Sequence, residues 1–152
     1  MIPPRPLTRW LFPCLAILIL AGGAMTGCGS QPDPAAAGLA LAPLHTLPHE
    51  VQQAPLAVRQ AYQFAALNPD VMQRIPCYCG CGPMGHKSSY DCYISGSDAA
   101  GNITYDSHAL GCSICVDITQ DVMRLLRQGE STPAIRNYID ATYTRYGPSN
   151  MP

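Results

Sequence analysis

Six cysteines crowded between residues 77 and 115 constrain this chain more than any other feature of its sequence. Three alternate with other residues in the segment Pro-Cys-Tyr-Cys-Gly-Cys-Gly at positions 76–82, and two form a Cys-x-x-Cys pair. A disulfide within Cys-x-Cys would close a small, strained ring, so the alternating thiols point to a metal or to distant partners. Glycines in the same segment allow the backbone to curl and the sulfurs to converge. The six are Cys77, Cys79, Cys81, Cys92, Cys112 and Cys115.

The first part of the chain predicts export. Two arginines precede an uncharged run, residues 10–25, that is short for a membrane-spanning helix but fits the apolar region of a secretory signal. The run leads into the letters MTGC, which end at Cys28 and resemble the lipobox of bacterial lipoproteins, with methionine where leucine is usual. Residues 1–27 are therefore predicted to be a lipoprotein signal peptide. Acylation of Cys28 would anchor the protein in a bilayer, since each buried methylene contributes about 0.8 kcal/mol.

Composition divides the rest of the chain in two. Residues 28–48 are rich in Ala, Pro and Gly and are predicted to be a lipid-anchored flexible linker, and residues 49–152 a single Cys-rich domain. The expected location is the outer face of a bacterial membrane: the cell membrane, or the outer membrane in a Gram-negative cell. A formal net charge of −1 argues against a nucleic-acid binder, which needs a concentrated positive field.

Apolar periodicity predicts a mainly α fold, a small single domain of about four helices with a short β-hairpin and a Cys-rich metal-site loop. The expected helices cover residues 55–67, 69–74, 113–129 and a segment from Thr132 that ends by Gly147. Strand-like runs at 90–94 and 103–105 predict the hairpin. The third helix begins at the Cys-x-x-Cys pair, and its N-terminal dipole is expected to lower the pKa of thiols there.

The six thiols suit a soft metal ion. Thiolates favour Cu(I), Zn(II) and iron–sulfur clusters. An exported protein meets zinc and copper more readily than it could assemble a labile iron–sulfur cluster, and six sulfurs exceed the four that one tetrahedral zinc ion needs. Bridging thiolates could instead hold several Cu(I) ions, with His86 and His108 adding nitrogen ligands and Met84 an auxiliary thioether. We therefore expect Cu(I) as the bound metal, with Zn(II) as the alternative ion.

Two other uses of the cysteines stay open. Thiols in an oxidising compartment commonly pair, so the six could form up to three disulfides that each contribute roughly 2–4 kcal/mol, although their crowding argues against this. Alternatively, Cys112 and Cys115 could be a redox pair at a helix N-terminus. No thioredoxin-like βαβ pattern precedes them, and the neighbouring thiols would scramble the exchange.

Three segments spread over roughly residues 55–146 resemble the family of bacterial lipoproteins named for the PCYCGC motif. They read PCYCGCGPMGHKSSYDCYI, HALGCSICVD and IRNYIDATY. The resemblance implies an extracytoplasmic, lipid-anchored, Cys-rich domain. The family has no characterised function, so the mechanism has to come from the residues themselves.

These observations predict a binding protein rather than an enzyme, because no arrangement of nucleophile, base and acid stands out in the sequence. The expected role is sequestration, storage or delivery of a soft metal in the cell envelope. The expected partners are the lipid bilayer, through acylated Cys28, and a metalloenzyme or metal exporter that gives or takes the metal. Four tyrosines are candidates to shield the site from water and oxidants: Tyr78, Tyr90, Tyr93 and Tyr105.

Overall fold

The structure, a computed structural model, describes residues 38–152. Five α-helices lie in this part of the chain: α1 (His49–Gln53), α2 (Leu56–Leu67), α3 (Pro69–Met72), α4 (Ser113–Arg127) and α5 (Thr132–Tyr143). Two strands, β1 (Ile94–Ser97) and β2 (Ile103–Tyr105), pair antiparallel. The predicted fold class, mainly α with a short hairpin and a Cys-rich cluster, is confirmed. The predicted signal peptide 1–27 and the acylated Cys28 lie outside the described residues.

The core forms where α4 packs against α2 on one side and α5 on the other. Apolar side chains recur along α4 at spacings of three and four, so they share one face of the helix and become buried together. Burial of such a side chain contributes roughly 1.5–3 kcal/mol. The largest fully buried side chains of the three helices are Tyr62, Phe64, Ile118, Val122, Met123, Ile135 and Ile139. Packing on both sides therefore holds α4 in place, and with it the backbone of the two cysteines at its start.

The helix ends follow from caps, prolines and glycines. The Ser131 hydroxyl accepts a hydrogen bond from the backbone N–H of Ala134 at 3.4 Å, and Pro133 occupies the first turn of α5. Gly129 takes a positive φ of 81° just after α4, a conformation that favours glycine. The structure confirms the predicted helices 113–129 and 132–147 with ends that differ by a few residues, whereas α3 ends two residues early at Met72.

The first strand of the hairpin lies further along the chain than predicted. Tyr90–Cys92 form a 3-10 turn instead of a strand, and β1 begins only at Ile94. The Asp91 carboxylate accepts hydrogen bonds from the backbone N–H groups of Lys87, at 2.6 Å, and Ser88, at 3.0 Å. Such local side-chain bonds compete with strand pairing and favour a turn. The turn directs Cys92 into the interior, where it is fully buried.

The predicted flexible linker is wrong for residues 39–48. Ala42 and Leu47 are buried in the core, and the backbone of Ala42 exchanges hydrogen bonds with Gln63 on α2, at 2.9 Å through the main chain and 2.7 Å through the Gln63 amide. The Ala- and Pro-rich composition predicts a tether, but the apolar residues among the prolines cover α2. Residues 28–37 of that linker lie outside the described part. Within residues 38–152, no helix has the length and apolar character needed to cross a membrane.

Candidate metal centre

Three separate segments supply the six sulfur atoms. Three come from the PCYCGC loop, residues 76–81, one from the 3-10 turn that ends at Cys92, and two from the start of α4. A further 3-10 turn, His108–Leu110, lies just before α4 and adds the His108 imidazole. All six cysteines are unpaired thiols in the structure. The site therefore depends on tertiary packing that brings a loop, a turn and a helix start together.

Two hydrogen bonds from Ser89 hold the beginning of the PCYCGC loop, and a glycine turn shapes its middle. The Ser89 hydroxyl donates to the carbonyl of Pro76 at 2.8 Å, and the Ser89 N–H donates to the carbonyl of Ile75 at the same distance. Gly80 has a φ of 82°, which L side chains rarely adopt, and this curls the chain between Cys79 and Cys81. The predicted convergence of the alternating cysteines is thus achieved with a glycine turn.

The start of α4 positions Cys115 through a buried polar network. The Cys115 carbonyl accepts hydrogen bonds from the Tyr93 hydroxyl at 2.7 Å and from the Thr119 hydroxyl at 3.0 Å. Burial keeps the pKa of Tyr93 well above its usual value, so its hydroxyl remains protonated and can donate. Tyr93 and Thr119 are themselves fully buried. The network fixes the helix start on which Cys115 lies.

The sulfur atoms approach one another closely without bonding. Cys77 Sγ lies 3.3 Å from Cys79 Sγ and 3.6 Å from Cys115 Sγ, and Cys79 Sγ lies 3.6 Å from Cys115 Sγ. Cys81 Sγ and Cys92 Sγ are 3.7 Å apart. A disulfide has sulfurs only about 2.05 Å apart, so none of these pairs is a disulfide.

The donor atoms form three overlapping sets that could each hold a metal ion, with the atoms of each set within 4.8 Å of one another. Four thiolates at about 2.3 Å from a tetrahedral zinc ion would lie about 3.8 Å apart, close to the separations of 3.6 and 3.7 Å seen here. The sets are Cys77, Cys79, Cys92 and Cys115; Cys79, Cys81, Cys92 and His108; and Cys79, His108, Cys112 and Cys115. Cys79 belongs to all three, so the sites would share bridging thiolates.

His86 and His108 occupy different places. His108 Nε2 lies 3.3 Å from Cys79 Sγ, within the cluster. His86 belongs to none of the three sets; its ring instead meets the His108 ring edge to face, with centroids 5.2 Å apart. Met84 is largely exposed and lines a surface cavity together with His86. The structure brings all six predicted cysteines and His108 together and leaves His86 and Met84 beside them.

Charge is distributed unequally among the thiols. Hydrogen bonds from Cys115 and Cys92 hold the pKa of Cys77 well below its ordinary value, so Cys77 is the first of these thiols to lose its proton as the pH rises. Cys115 retains its proton because it donates to Cys77, and its pKa is raised. Burial, together with the charge on Cys77, also raises the pKa of Cys79 and Cys81. The expectation that the helix dipole lowers thiol pKa values is therefore wrong for Cys115, since its sulfur neighbours and burial outweigh the dipole.

Sequence reasoning missed one residue that holds the site together, Asn150. Its Oδ1 accepts from the Cys77 N–H at 2.7 Å, and its backbone N–H donates to the Cys77 carbonyl at 3.1 Å. Its Nδ2 donates to the carbonyls of Ser88 at 3.2 Å and His86 at 3.3 Å and lies 3.7 Å from Cys81 Sγ. We call this arrangement the Asn150 clamp. An isolated asparagine after Gly-Pro-Ser has no periodicity or motif that could have identified it.

The tyrosines proposed to shield the site differ in burial. Tyr78 and Tyr93 are buried, whereas Tyr90 and Tyr105 are only partly so. The Tyr78 hydroxyl donates to the Asp140 carboxylate of α5 at 2.7 Å, and burial, with that carboxylate, raises the pKa of Tyr78 to about 12. Tyr78 thus ties the PCYCGC loop to α5.

Neither the curated proteins nor the solved structures that were compared with the chain gave a match. A family model does match residues 39–152, three quarters of the chain, and its range agrees with the earlier start of the folded part. On this match, the chain belongs to the family described as "Protein of unknown function with PCYCGC motif".

Proposed function

We propose that this protein is an extracytoplasmic, lipid-anchored binder of soft metal ions that sequesters, stores or delivers Cu(I). The observation that supports it most is the sharing of Cys79 among three sets of four donors. Three independent tetrahedral sites would need twelve ligands, and the sets together contain seven. If the three sets held ions at the same time, thiolates would bridge between them, which makes the arrangement a candidate polynuclear cluster.

Copper(I) suits this donor set better than zinc. Six soft thiolates and one imidazole match the ligand preference of Cu(I), and a single structural zinc ion would leave several of the thiolates unused. Four of the six cysteines are buried, which restricts access of oxidants to the sulfurs. Removal of the predicted signal peptide would leave 7 basic against 10 acidic side chains, a balance that favours cations. Zn(II) is the competing ion that the experiment has to include.

The proposal treats the protein as a binder rather than an enzyme. Its partners would be the lipid bilayer, through acylated Cys28, and a metalloenzyme or metal exporter at the outer face of the membrane. Mass spectrometry of the chain extracted from membranes tests the anchor: cleavage before Cys28 and attached acyl chains are expected. A mature chain without acyl groups, or one that still carries residues 1–27, would contradict the lipid anchor without affecting the metal site.

Metal binding is tested on the chain purified in detergent without oxygen. After metal removal, the chain is titrated with Cu(I) and, separately, with Zn(II), and bound metal is measured by elemental mass spectrometry. We expect more than one Cu(I) ion per chain, and loss of that binding when Cys77, Cys79 and Cys81 are replaced by serine. His108→Gln should lower the affinity, while the matched control His45→Gln, at an exposed site far along the chain, should not.

Two results would overturn the proposal in different directions. A chain isolated without metal and without titratable thiols, with three disulfides intact, would favour a disulfide-stapled protein. Thiol–disulfide exchange that requires Cys112 and proceeds without metal would instead favour a redox protein that uses Cys112 and Cys115. Uptake of Zn(II) without uptake of Cu(I) would support the metal site but contradict Cu(I) as the ion it binds.

A further inference from the structure

A cavity of about 330 Å³ lies against the outer side of the cluster. Its lining combines one lysine, Lys87, with an exposed thioether, a buried imidazole and two carboxylates, and the last three kinds of group can bind a cation. We call it the side cavity; its chief lining residues are Met84, His86, Asp91, Ile94, Ser95 and Asp106. The imidazole and the two carboxylates, His86, Asp91 and Asp106, belong to none of the three donor sets of the cluster. The cavity is therefore a separate feature whose role the thiolate site does not explain.

A continuous series of contacts leads from the side cavity to the sulfurs. Met84 is 61% exposed at the surface, and His86, two residues on, lines the same cavity. The His86 ring meets the His108 ring at a centroid distance of 5.2 Å, and His108 Nε2 lies 3.3 Å from Cys79 Sγ. Cys79 in turn belongs to every donor set. The rings of His86 and His108 thus lie between the exposed thioether of Met84 and the sulfur of Cys79.

Asp106 contacts both histidines, one through its backbone and the other through its ring. Its Oδ1 accepts a hydrogen bond from the backbone N–H of His108 at 2.7 Å, and its Oδ2 lies 3.7 Å from His86 Nε2. The Asp106 backbone is held as well, because its carbonyl accepts from the buried Tyr62 hydroxyl at 2.8 Å and its N–H donates to the Tyr93 carbonyl at 2.8 Å. Asp106 therefore fixes the backbone that carries His108 and places a negative charge beside the His86 ring.

His86 is buried yet incompletely satisfied. Its side chain is 9% exposed, and its Nδ1 has no hydrogen-bond partner within residues 38–152. A buried polar atom without a partner costs about 1–3 kcal/mol, so such an atom calls for an explanation. A cation that passes through the side cavity would supply the missing partner, since a neutral imidazole nitrogen is a good ligand for copper.

We propose that the side cavity is the entry and exit port of the cluster, in which Met84 and His86 receive a Cu(I) ion and His108 transfers it to Cys79. Each step is a ligand exchange: Met84 sulfur and a His86 nitrogen displace the ligands of the incoming ion, and His108 nitrogen and Cys79 sulfur then displace them. Copper remains Cu(I), and each thiol that becomes a ligand releases one proton to water. This proposal rests on the function proposed above and adds a route to it.

The route is tested by the rate of copper transfer to the full chain in detergent. The chain, freed of metal and kept under ascorbate without oxygen, is mixed with the Cu(I) complex of bicinchoninate, whose colour fades as it gives up copper. Met84→Leu keeps the size of the side chain and removes the thioether, and it should slow uptake roughly tenfold. His86→Gln should slow it similarly. His45→Gln, an exposed histidine outside the cavity, serves as the matched control and should have the wild-type rate.

A third variant tests the route without removing a ligand. Ser95→Trp places a large side chain on the exposed wall of the cavity and should also slow uptake while the final number of bound Cu(I) ions stays at the wild-type value. Wild-type rates in both Met84→Leu and Ser95→Trp would overturn the port and leave the cluster intact. A wild-type chain that binds no Cu(I) at equilibrium would instead overturn the proposed function, and the port with it.

Discussion

Replacing Asn150 with alanine should destabilise the protein by about 3 kcal/mol, because it removes the side-chain bonds of the Asn150 clamp. The side chain makes three hydrogen bonds, to the Cys77 N–H, the Ser88 carbonyl and the His86 carbonyl. Each contributes about 1 kcal/mol net. Typical domains have a total stability of only about 5–15 kcal/mol, so the loss is a large part of it.

Urea denaturation with the thiols kept reduced measures this loss as a lower midpoint at an unchanged slope. Asn150→Asp is the informative second variant: its carboxylate still accepts from Cys77 but faces two carbonyls that need a donor. It should therefore cost at least as much as Asn150→Ala. Asn137→Ala, the same change at an exposed site on α5, is the matched control and should stay within about 0.5 kcal/mol of the wild type.

A free energy of unfolding for Asn150→Ala within about 0.5 kcal/mol of the wild type would refute the reasoning. So would an Asn150→Asp variant that is as stable as the wild type, since the two carbonyls would then not depend on a donor. If Asn150→Ala loses stability as expected, the Cu(I) affinity should fall as well, because the clamp holds the loop that carries three of the six cluster cysteines.

Three further outcomes are expected. Cys79→Ser should remove more bound Cu(I) ions than Cys112→Ser, since Cys79 belongs to three donor sets and Cys112 to one, and elemental mass spectrometry counts the difference; equal losses would contradict shared ligands. Gly147→Ala should cost roughly 1–3 kcal/mol by urea denaturation, because its methyl group would lie 3.0 Å from the Tyr78 carbonyl oxygen, whereas Gly96→Ala has open space around it. Bound copper should protect the cluster thiols from alkylation, and its removal by cyanide should expose them to the reagent, as peptide mass mapping would show; alkylation at the same rate with and without copper would argue against thiolate ligation.

Local patterns in the sequence were sufficient to predict much of this fold. The apolar spacing along α4 and α5 is strong, and their ends carry Gly129 and the Thr132-Pro133 pair. The crowding of the cysteines likewise predicted that their sulfur atoms would converge, because disulfides within Cys-x-Cys are strained and the glycines between them let the backbone curl. In both cases the information lies within a few residues of the element it determines.

Interactions between distant segments could not be predicted. The packing of residues 39–48 on α2 depends on a surface that only the folded helix presents, and the Ala- and Pro-rich composition of the segment by itself predicts a tether. The turn at Tyr90–Cys92 has a local cause instead: the Asp91 carboxylate bonds to the backbone of Lys87 and Ser88 and so overrides the strand-like pattern of residues 90–94. The raised pKa of Cys115 depends on sulfurs from the PCYCGC loop, which no helix-dipole argument includes.

The Asn150 clamp also has a consequence for the order of folding. It joins residues separated by 73 positions, and closing a flexible loop of that length costs about 4 kcal/mol in chain entropy. The roughly 3 kcal/mol of its hydrogen bonds cannot offset that cost in an unfolded chain. Packing of α5 on α4 must first bring Tyr143, seven residues before Asn150, into the core. The PCYCGC loop is therefore expected to reach its final position late in folding, after the helices have packed together.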